Sequence, residues 1–595
     1  MHATITERVD ALRRWLDDKA LDALIIPHED EFLGEYIPSH NERLHWATGF
    51  TGSAGVAVIT RDKAAVFVDG RYQAQVRKQV PAGTFEYRHL IDASVLQWLL
   101  EILPAGSKIA VDAKLHSVSW LAQAEKTVAD TLILTCIDSN PIDILWRDRP
   151  APLLTQAKLM GNELVGQSSE SKRQQIGQAI AKTGADVALL SQLDSICWLL
   201  NIRGDDVPHL PVLLSTALVE SNGNVHFFID LLRLPAVFLN HIGNGVFVRP
   251  PGSIAASLAA MTGQTVLVDP QTSNAWTSQV LNQNNINIVH AVDPCLLPKA
   301  IKNSTEISGI KASHIRDGAA VSRFLAWLDA QVTAGILPNE AKLSDKIYSF
   351  RTLDETFVGL SFDTISAAGE NAAMCHYNHL NQPKSSELEW NNVYLVDSGG
   401  QYLGGTTDIT RTIAIGDCND TVKIAFTLVL KGHIALGAAR FPKGTCGNQL
   451  DVLARQYLWA HGFDYDHGTG HGVGHFLSVH EGPQSIAKAS NTIPLLPGMV
   501  LSNEPGYYCA DSFGIRIENL ELVVEVPTQG DVAMMGFESL TRVPIDRRLI
   551  NTSLLTSSEI AWWNDYHHKV WQDVSPLLQG DDLVWLEQAT TSLSC

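Results

Sequence analysis

Between residues 397 and 518 the chain carries five side chains whose types and order suit metal chemistry: Asp397, Asp408, His471, Glu504 and Glu518. Four carboxylates and one imidazole are hard, oxygen-dominated ligands. They fit a pair of Mn²⁺, Co²⁺ or Zn²⁺ ions better than a cysteine-rich structural zinc site would. The formal charge of the four carboxylates balances two divalent ions, which between them can hold a hydroxide whose pKa is lowered toward about 7.

Each motif is weaker alone than in the set. Asp397 closes the apolar run VYLV, which reads as a buried strand, and Asp408 opens the β-prone run ITRTIAI; the glycine-rich turn GGQYLGG joins them. Folding back across these 408 − 397 = 11 residues could bring the two carboxylates together. Buried, such a pair needs a cation or a proton. Taken alone, it reads more readily as two solvated turn aspartates. The segment HGTGHGVGH, from His467 through His471 to His475, cannot be a helix interior, because each glycine costs about 1 kcal/mol there relative to alanine. It reads as a shaped loop or distorted strand whose glycines admit a ligand and whose imidazoles bind metal or carry protons. No phosphate-loop pattern is present. In GIRIEN, Arg516 and Glu518 alternate with isoleucines, so a strand places both on one face, with Arg516 orienting the glutamate; the alternative is the solvent face of an edge strand.

The elements that position these residues belong to a long chain. Its 595 residues suggest about four domains at roughly 150 residues each. Hydrophobic residues make up 45% and charged residues 18%, a globular composition, and the charge of 44 − 64 = −20 disfavours nucleic acid and anionic membrane as partners. Eight scattered cysteines without a C-x-x-C pair read as a reduced, intracellular protein. The amino terminus is amphipathic, with Ile5, Val9, Leu12 and Leu16 at helical spacing, and lacks the apolar core of a signal peptide; no apolar run is long enough to span a membrane. The expected compartment is the cytoplasm.

Residues 1–150 alternate helical and strand patterns as an α/β layer does, up to the connector WRDRPAP. Residues 151–303 restate them, with Asp186, Trp198 and Asp230 answering to Asp22, Trp46 and Asp69. A third domain, 304–595, follows the polar segment PKAIKNST and opens with a helix whose Ile310, His314, Ala320, Phe324 and Leu328 share a face. Its tail, from about 540, is helical and aromatic-rich; Trp562, Trp563 and Trp571 either form a subunit contact or cap the chain's own core.

Together VDSGGQYLGGTTDITRT, HGTGHGVGHFLSVHEGP, NEPGYY and GIRIENL, with MCHYNH upstream, closely resemble the motif set of the aminopeptidase P branch of the pita-bread metallopeptidases. HWATGFTGSAGVAVI and DGRYQAQ resemble the first domain of its long, three-domain cytosolic form. The resemblance implies an α/β (α+β) chain with two tandem creatinase-like domains before a pita-bread catalytic domain. It implies Asp397 on one metal, Asp408 and Glu518 bridging both, and His471 and Glu504 on the second. His376 and His480 match shuttle histidines, Glu504 a proton carrier, His467 a residue near the proline pocket, and Arg516 the arginine behind the bridging glutamate. His475 departs from the small residue expected there. The implied activity is hydrolysis of the bond before a penultimate proline by a metal-bridging hydroxide, with manganese the expected metal and a homodimer the expected assembly. A prolidase acting on Xaa-Pro dipeptides, a metal-free hydrolase like creatinase, and an inactive binding protein of the same fold are the rivals.

Overall fold

The computed structural model describes residues 3–90 and 94–594. Residues 1–162 and 167–296 form one compact unit, and residues 163–166 and 297–595 a second.

The first unit contains two six-stranded sheets of identical topology. In one, the strands Ala23–Pro27, Val56–Thr60, Ala64–Val68, Glu86–His89, Lys108–Val111 and Ile133–Cys136 lie in the spatial order 4-3-2-1-5-6. In the other, Val187–Leu190, Thr216–Glu220, Val225–Phe228, Val246–Arg249, Thr265–Val268 and Asn287–His290 repeat that order. The pairings match as well: the central strand is antiparallel to the second and parallel to the fifth in both sheets. The sequence landmarks play the same parts twice. The Asp22 carboxylate accepts from Lys108 N at 2.8 Å and the Asp186 carboxylate from Thr265 N at 2.8 Å, so each aspartate ties the first strand to its parallel neighbour. Asp69 and Asp230 each cap a one-turn helix by accepting from the backbone two residues on. The restatement in the sequence is therefore a tandem pair of α/β domains rather than a chance likeness.

In the second unit the helix Ser304–Thr333 starts at an Asn303 and Glu306 capping box and buries Ile310, His314, Ala320, Phe324 and Leu328, the face expected from their spacing. Two sheets matter for the site. One is three-stranded, with Asn392–Ser398 between Ile365–Ala368 and Ile409–Ile415. The other is six-stranded and includes Gly470–Gly472, Glu481–Ile486, Val500–Asn503 and Asn519–Val526. The glycine-rich connection after Asp397 is more than a simple turn. It forms two short strands of its own, Gly400–Tyr402 and Gly405–Thr406, which join a separate sheet with Phe357–Leu360.

The aromatic tail packs on its own core. Trp563 in the helix Ser557–Val574 is fully buried among Phe426, Val429, Leu430 and Ile515, and Trp562 and Trp571 lie partly buried against the same cluster. A Trp563→Ala variant is expected to lose about 3–5 kcal/mol, seen as an earlier chemical-unfolding transition of the second unit. Among the described residues no helix is long and apolar enough to cross a membrane.

Candidate metal centre

Asp397 and Asp408 meet because their strands are paired antiparallel, with Asp397 opposite Thr410 and Ser398 opposite Ile409. Both are buried, which removes the reading as solvated turn aspartates. The close passage of backbone explains two glycines of the histidine motif: a Cβ on Gly470 would lie 2.0 Å from the Ser502 carbonyl, and one on Gly472 would lie 2.2 Å from that of Glu481. Between them, His471 sits in the short strand Gly470–Gly472, whose pairing register shifts at that residue. The segment is thus the distorted strand its composition predicts.

Ligand-type atoms of Asp408, His471 and Glu518 lie within 4.8 Å of one another. His471 Nε2 is 3.4 Å from Asp408 Oδ2 and 3.6 Å from Glu504 Oε1. Its Nδ1 donates to the Gly472 carbonyl at 2.9 Å, so Nε2 is the nitrogen turned to the acids. Asp397 joins through Arg516, whose Nη2 donates to Asp397 Oδ2 at 2.6 Å. Arg516 Nε donates to Thr410 Oγ1 at 3.1 Å, and that hydroxyl donates to Glu518 Oε2 at 2.7 Å. One guanidinium therefore sets two acids.

The placement of Glu518 differs from expectation. The strand Phe513–Arg516 stops at Arg516, and Glu518 lies in the two-residue break before Asn519–Val526, so the pair does not share a continuous strand face. Neither is on a solvent face, since both are buried. Arg411 holds the break, with Nη1 donating to the Glu518 carbonyl at 2.7 Å.

The electrostatics are those of like charges crowded out of water. Burial, with Asp408 and Glu504 nearby, pushes Asp397 up to about 7 despite the neighbouring Arg516. Burial and the other acids raise Glu518 well above the usual carboxylate range, and Glu504 is raised mainly by burial. His471 moves up to about 9: burial opposes its charge, and the Asp408 and Glu504 carboxylates outweigh burial. Asp397 Oδ1 is buried and has no hydrogen-bond partner among the described residues. A buried carboxylate oxygen left in this state among other acids fits a cation, as does the all-oxygen-and-imidazole donor set. The His471 and Glu504 side chains are 22% and 18% exposed against 5% for Asp408, so the cluster opens on their side.

The other expected histidines have distinct neighbours. The His480 ring stands edge-on to that of His471 with centroids 4.3 Å apart. His467 Nε2 is 2.8 Å from the Tyr508 hydroxyl, which also receives Arg516 Nη1 at 2.7 Å. His376 is half-buried in the turn after Gly369–Ala373, a segment packed so closely on the Arg516 strand that a Cβ on Gly514 would lie 1.8 Å from the Ala372 carbonyl. His475 is buried, with Nδ1 3.9 Å from Glu306 Oε1.

Thr410, Arg411, Tyr508 and Ser502 were not legible as site residues. Ser502 Oγ receives the His471 amide at 2.9 Å and donates to Glu504 Oε1 at 3.1 Å. A signal was available for two of them: Thr410 is two residues after Asp408 and Ser502 two before Glu504, the period that puts strand side chains on one face. Replacing Arg516 by Met is expected to weaken metal binding about 10–100-fold, measured by metal titration, because the orientation of both Asp397 and Glu518 is lost.

The site and the fold together are those of a metallopeptidase. Residues 308–525 match metallopeptidase family M24 and residues 533–593 the C-terminal region of peptidase M24, while 8–144 and 148–306 each match a creatinase/prolidase N-terminal domain. A probable Xaa-Pro aminopeptidase P of Laccaria bicolor is 39% identical over 99% of this chain and 94% of its own length. Aminopeptidase P2 of Arabidopsis thaliana is 37% identical over 99% and 89%. The crystal structure of an X-prolyl aminopeptidase from Caenorhabditis elegans, described as a cytosolic enzyme with a di-nuclear active site, superposes over the whole of both chains with a TM-score of 0.95 at 34% identity. The chain belongs to the Xaa-Pro aminopeptidase P family of M24 metallopeptidases.

Proposed function

We propose that the protein is a metal-dependent aminopeptidase that releases the N-terminal residue from peptides whose second residue is proline. The observation that carries this reading is the convergence of Asp408, His471 and Glu518 within 4.8 Å, next to the orphaned oxygen of Asp397. Asp397 would hold one divalent ion, His471 and Glu504 a second, and Asp408 and Glu518 both, with manganese the preferred metal. When bound, the ions supply Lewis acidity, polarising a carbonyl and making water acidic. The chain's own groups do the rest. His480, beside His471 at the open side, donates a hydrogen bond to the developing oxyanion, and His376 is the second such donor. Glu504, partly exposed, carries the proton to the leaving proline nitrogen. His467, held against Tyr508, borders the proline ring.

A specialised site suits this bond, because proline lacks the N–H that backbone-reading proteases use. The dinuclear site of the Caenorhabditis elegans structure supports the two-ion reading, and its cytosolic origin supports a cytoplasmic, soluble enzyme. A homodimer joined through the catalytic unit is the proposed assembly, checked by light scattering. The deciding test is metal analysis of the purified protein with hydrolysis of Xaa-Pro-Xaa and Xaa-Pro peptides. Cleavage of the tripeptide before proline with about two ions per chain is expected; activity on dipeptides alone would make it a prolidase, and a metal-free, inert protein would make it a binding protein.

A further inference from the structure

Four charged side chains lie buried together in the second unit, outside the metal cluster. Lys299 and Lys302 both donate to one carboxylate, Glu481: Lys299 Nζ reaches Oε2 at 2.9 Å and Lys302 Nζ meets Oε1. Lys302 Nζ also donates to the Lys299 carbonyl at 2.9 Å. All three residues are at most 3% exposed. Glu306, equally buried in the first turn of the long helix, adds a second negative charge that attracts Lys302, so two ammonium groups face two carboxylates and the cluster is neutral overall.

Taking four charges out of water is expensive, and apolar residues of similar volume commonly give equal or greater stability. What such a cluster supplies is a fixed position for Glu481. That position matters because Glu481 directly follows His480, begins the strand Glu481–Ile486, and pairs through its backbone with Gly472, the neighbour of His471. The two histidine rings are 4.3 Å apart, one standing on the edge of the other. A shift of Glu481 moves both.

We propose that Lys299 and Lys302 are positioning residues for peptide hydrolysis: by clamping the Glu481 carboxylate from the start of the catalytic unit, they fix the His480 and His471 rings. The polar segment PKAIKNST, which reads in sequence as a connector, is on this view part of the catalytic apparatus. The proposal rests on the aminopeptidase reading for its activity readout and not for its metal readout.

The test uses the full chain with Lys302→Met, Lys299→Met and His480→Ala, singly and combined. At saturating metal, each lysine variant is expected to lower kcat on an Xaa-Pro-Xaa peptide about 10–100-fold with KM within about twofold, and to weaken Mn²⁺ binding about 10-fold in a calorimetric titration. In the His480→Ala background, Lys302→Met is expected to lower kcat by a smaller factor than in wild type, because one of the two rings it fixes is gone. Full additivity there, or unchanged kcat and metal affinity in both single variants, overturns the proposal. If a lysine variant fails to fold, Glu481→Gln keeps the side chain's volume while removing the charge both lysines hold; wild-type kcat and metal affinity in that variant overturn it equally. An inert wild-type chain would overturn the aminopeptidase reading instead, and the Mn²⁺ titration alone would then decide the clamp.

Discussion

An Asp408→Ala protein is expected to hold no metal by elemental analysis and to turn over an Xaa-Pro-Xaa peptide at least about 10³-fold more slowly than wild type, beyond the loss from deleting a single oxyanion donor. The reason lies in where Asp408 stands. Its carboxylate is 3.4 Å from His471 Nε2 and belongs to the three-residue set with Glu518. It also acts on all four other members: it raises Asp397, Glu504 and Glu518 by repulsion and His471 by attraction. Removing it takes away a group that faces every other member of the cluster, where removal of a peripheral acid would leave more of the set in place. Misfolding would produce the same inactivity, so a second variant separates the two causes. Asp408→Asn keeps the shape and deletes a charge from a crowd of like charges. Stripped of metal, it is expected to melt above the metal-free wild type by a few degrees while remaining inactive.

How much of this was written in the sequence depends on whether a residue's role shows in its own type and period. The candidate set was legible because Asp, Asp, His, Glu and Glu recur in distinctive company, each beside glycine or a strand-forming run; the structure brings Asp408, His471 and Glu518 within 4.8 Å, with Glu504 beside His471 and Asp397 linked through Arg516. The helix of residues 304–333 was legible because Ile310, His314 and Phe324 obey a 3.6-residue period. The tandem domains were legible because paired aspartates recur in order: Asp22 and Asp186 make the same strand-to-strand bond, and Asp69 and Asp230 the same helix cap. The failures have one physical origin, which is that a local pattern cannot show where the chain breaks or what packs on it from afar. Ile517 continues the alternation of GIRIEN, yet the strand ends at Arg516 because the Glu518 carbonyl is taken by Arg411, a partner 107 residues away. Trp563 carries no mark that separates a subunit contact from a core plug. Lys299 and Lys302 look like any solvated lysines of a connector, and only Glu481, some 180 residues downstream, reveals them as buried.

Removing the metal should couple the stability of the second unit to pH in one direction. In the metal-free fold Asp397 binds its proton up to about 7, far above the range of an unfolded aspartate, and Glu518 and Glu504 are raised as well. His471, raised to about 9, also holds a proton longer when folded than when unfolded. Each of these groups binds more protons in the native state, so each contributes stability that is fully present below its unfolded pKa, near 4 for the carboxyls and 6.5 for the imidazole, and lost as pH rises through the folded value. All four shifts have the same sign, so the whole cluster pushes stability the same way with pH. The chelated protein is therefore expected to melt at least about 5 °C lower at pH 8.5 than at pH 5.5, a difference of a few kcal/mol in a unit of this size. The metal-loaded protein should show little of that fall, because the divalent ions take the place of the protons and favour the ionised carboxylates. The same exchange predicts that titrating Mn²⁺ into the chelated protein at pH 6.5 releases protons, measured as a binding heat that varies with the ionisation enthalpy of the buffer. Equal melting temperatures across the pH range for the chelated protein would mean that the acids are not crowded as the geometry places them, and the reading of Asp397, Asp408, Glu504 and Glu518 as one cation site would fall with it.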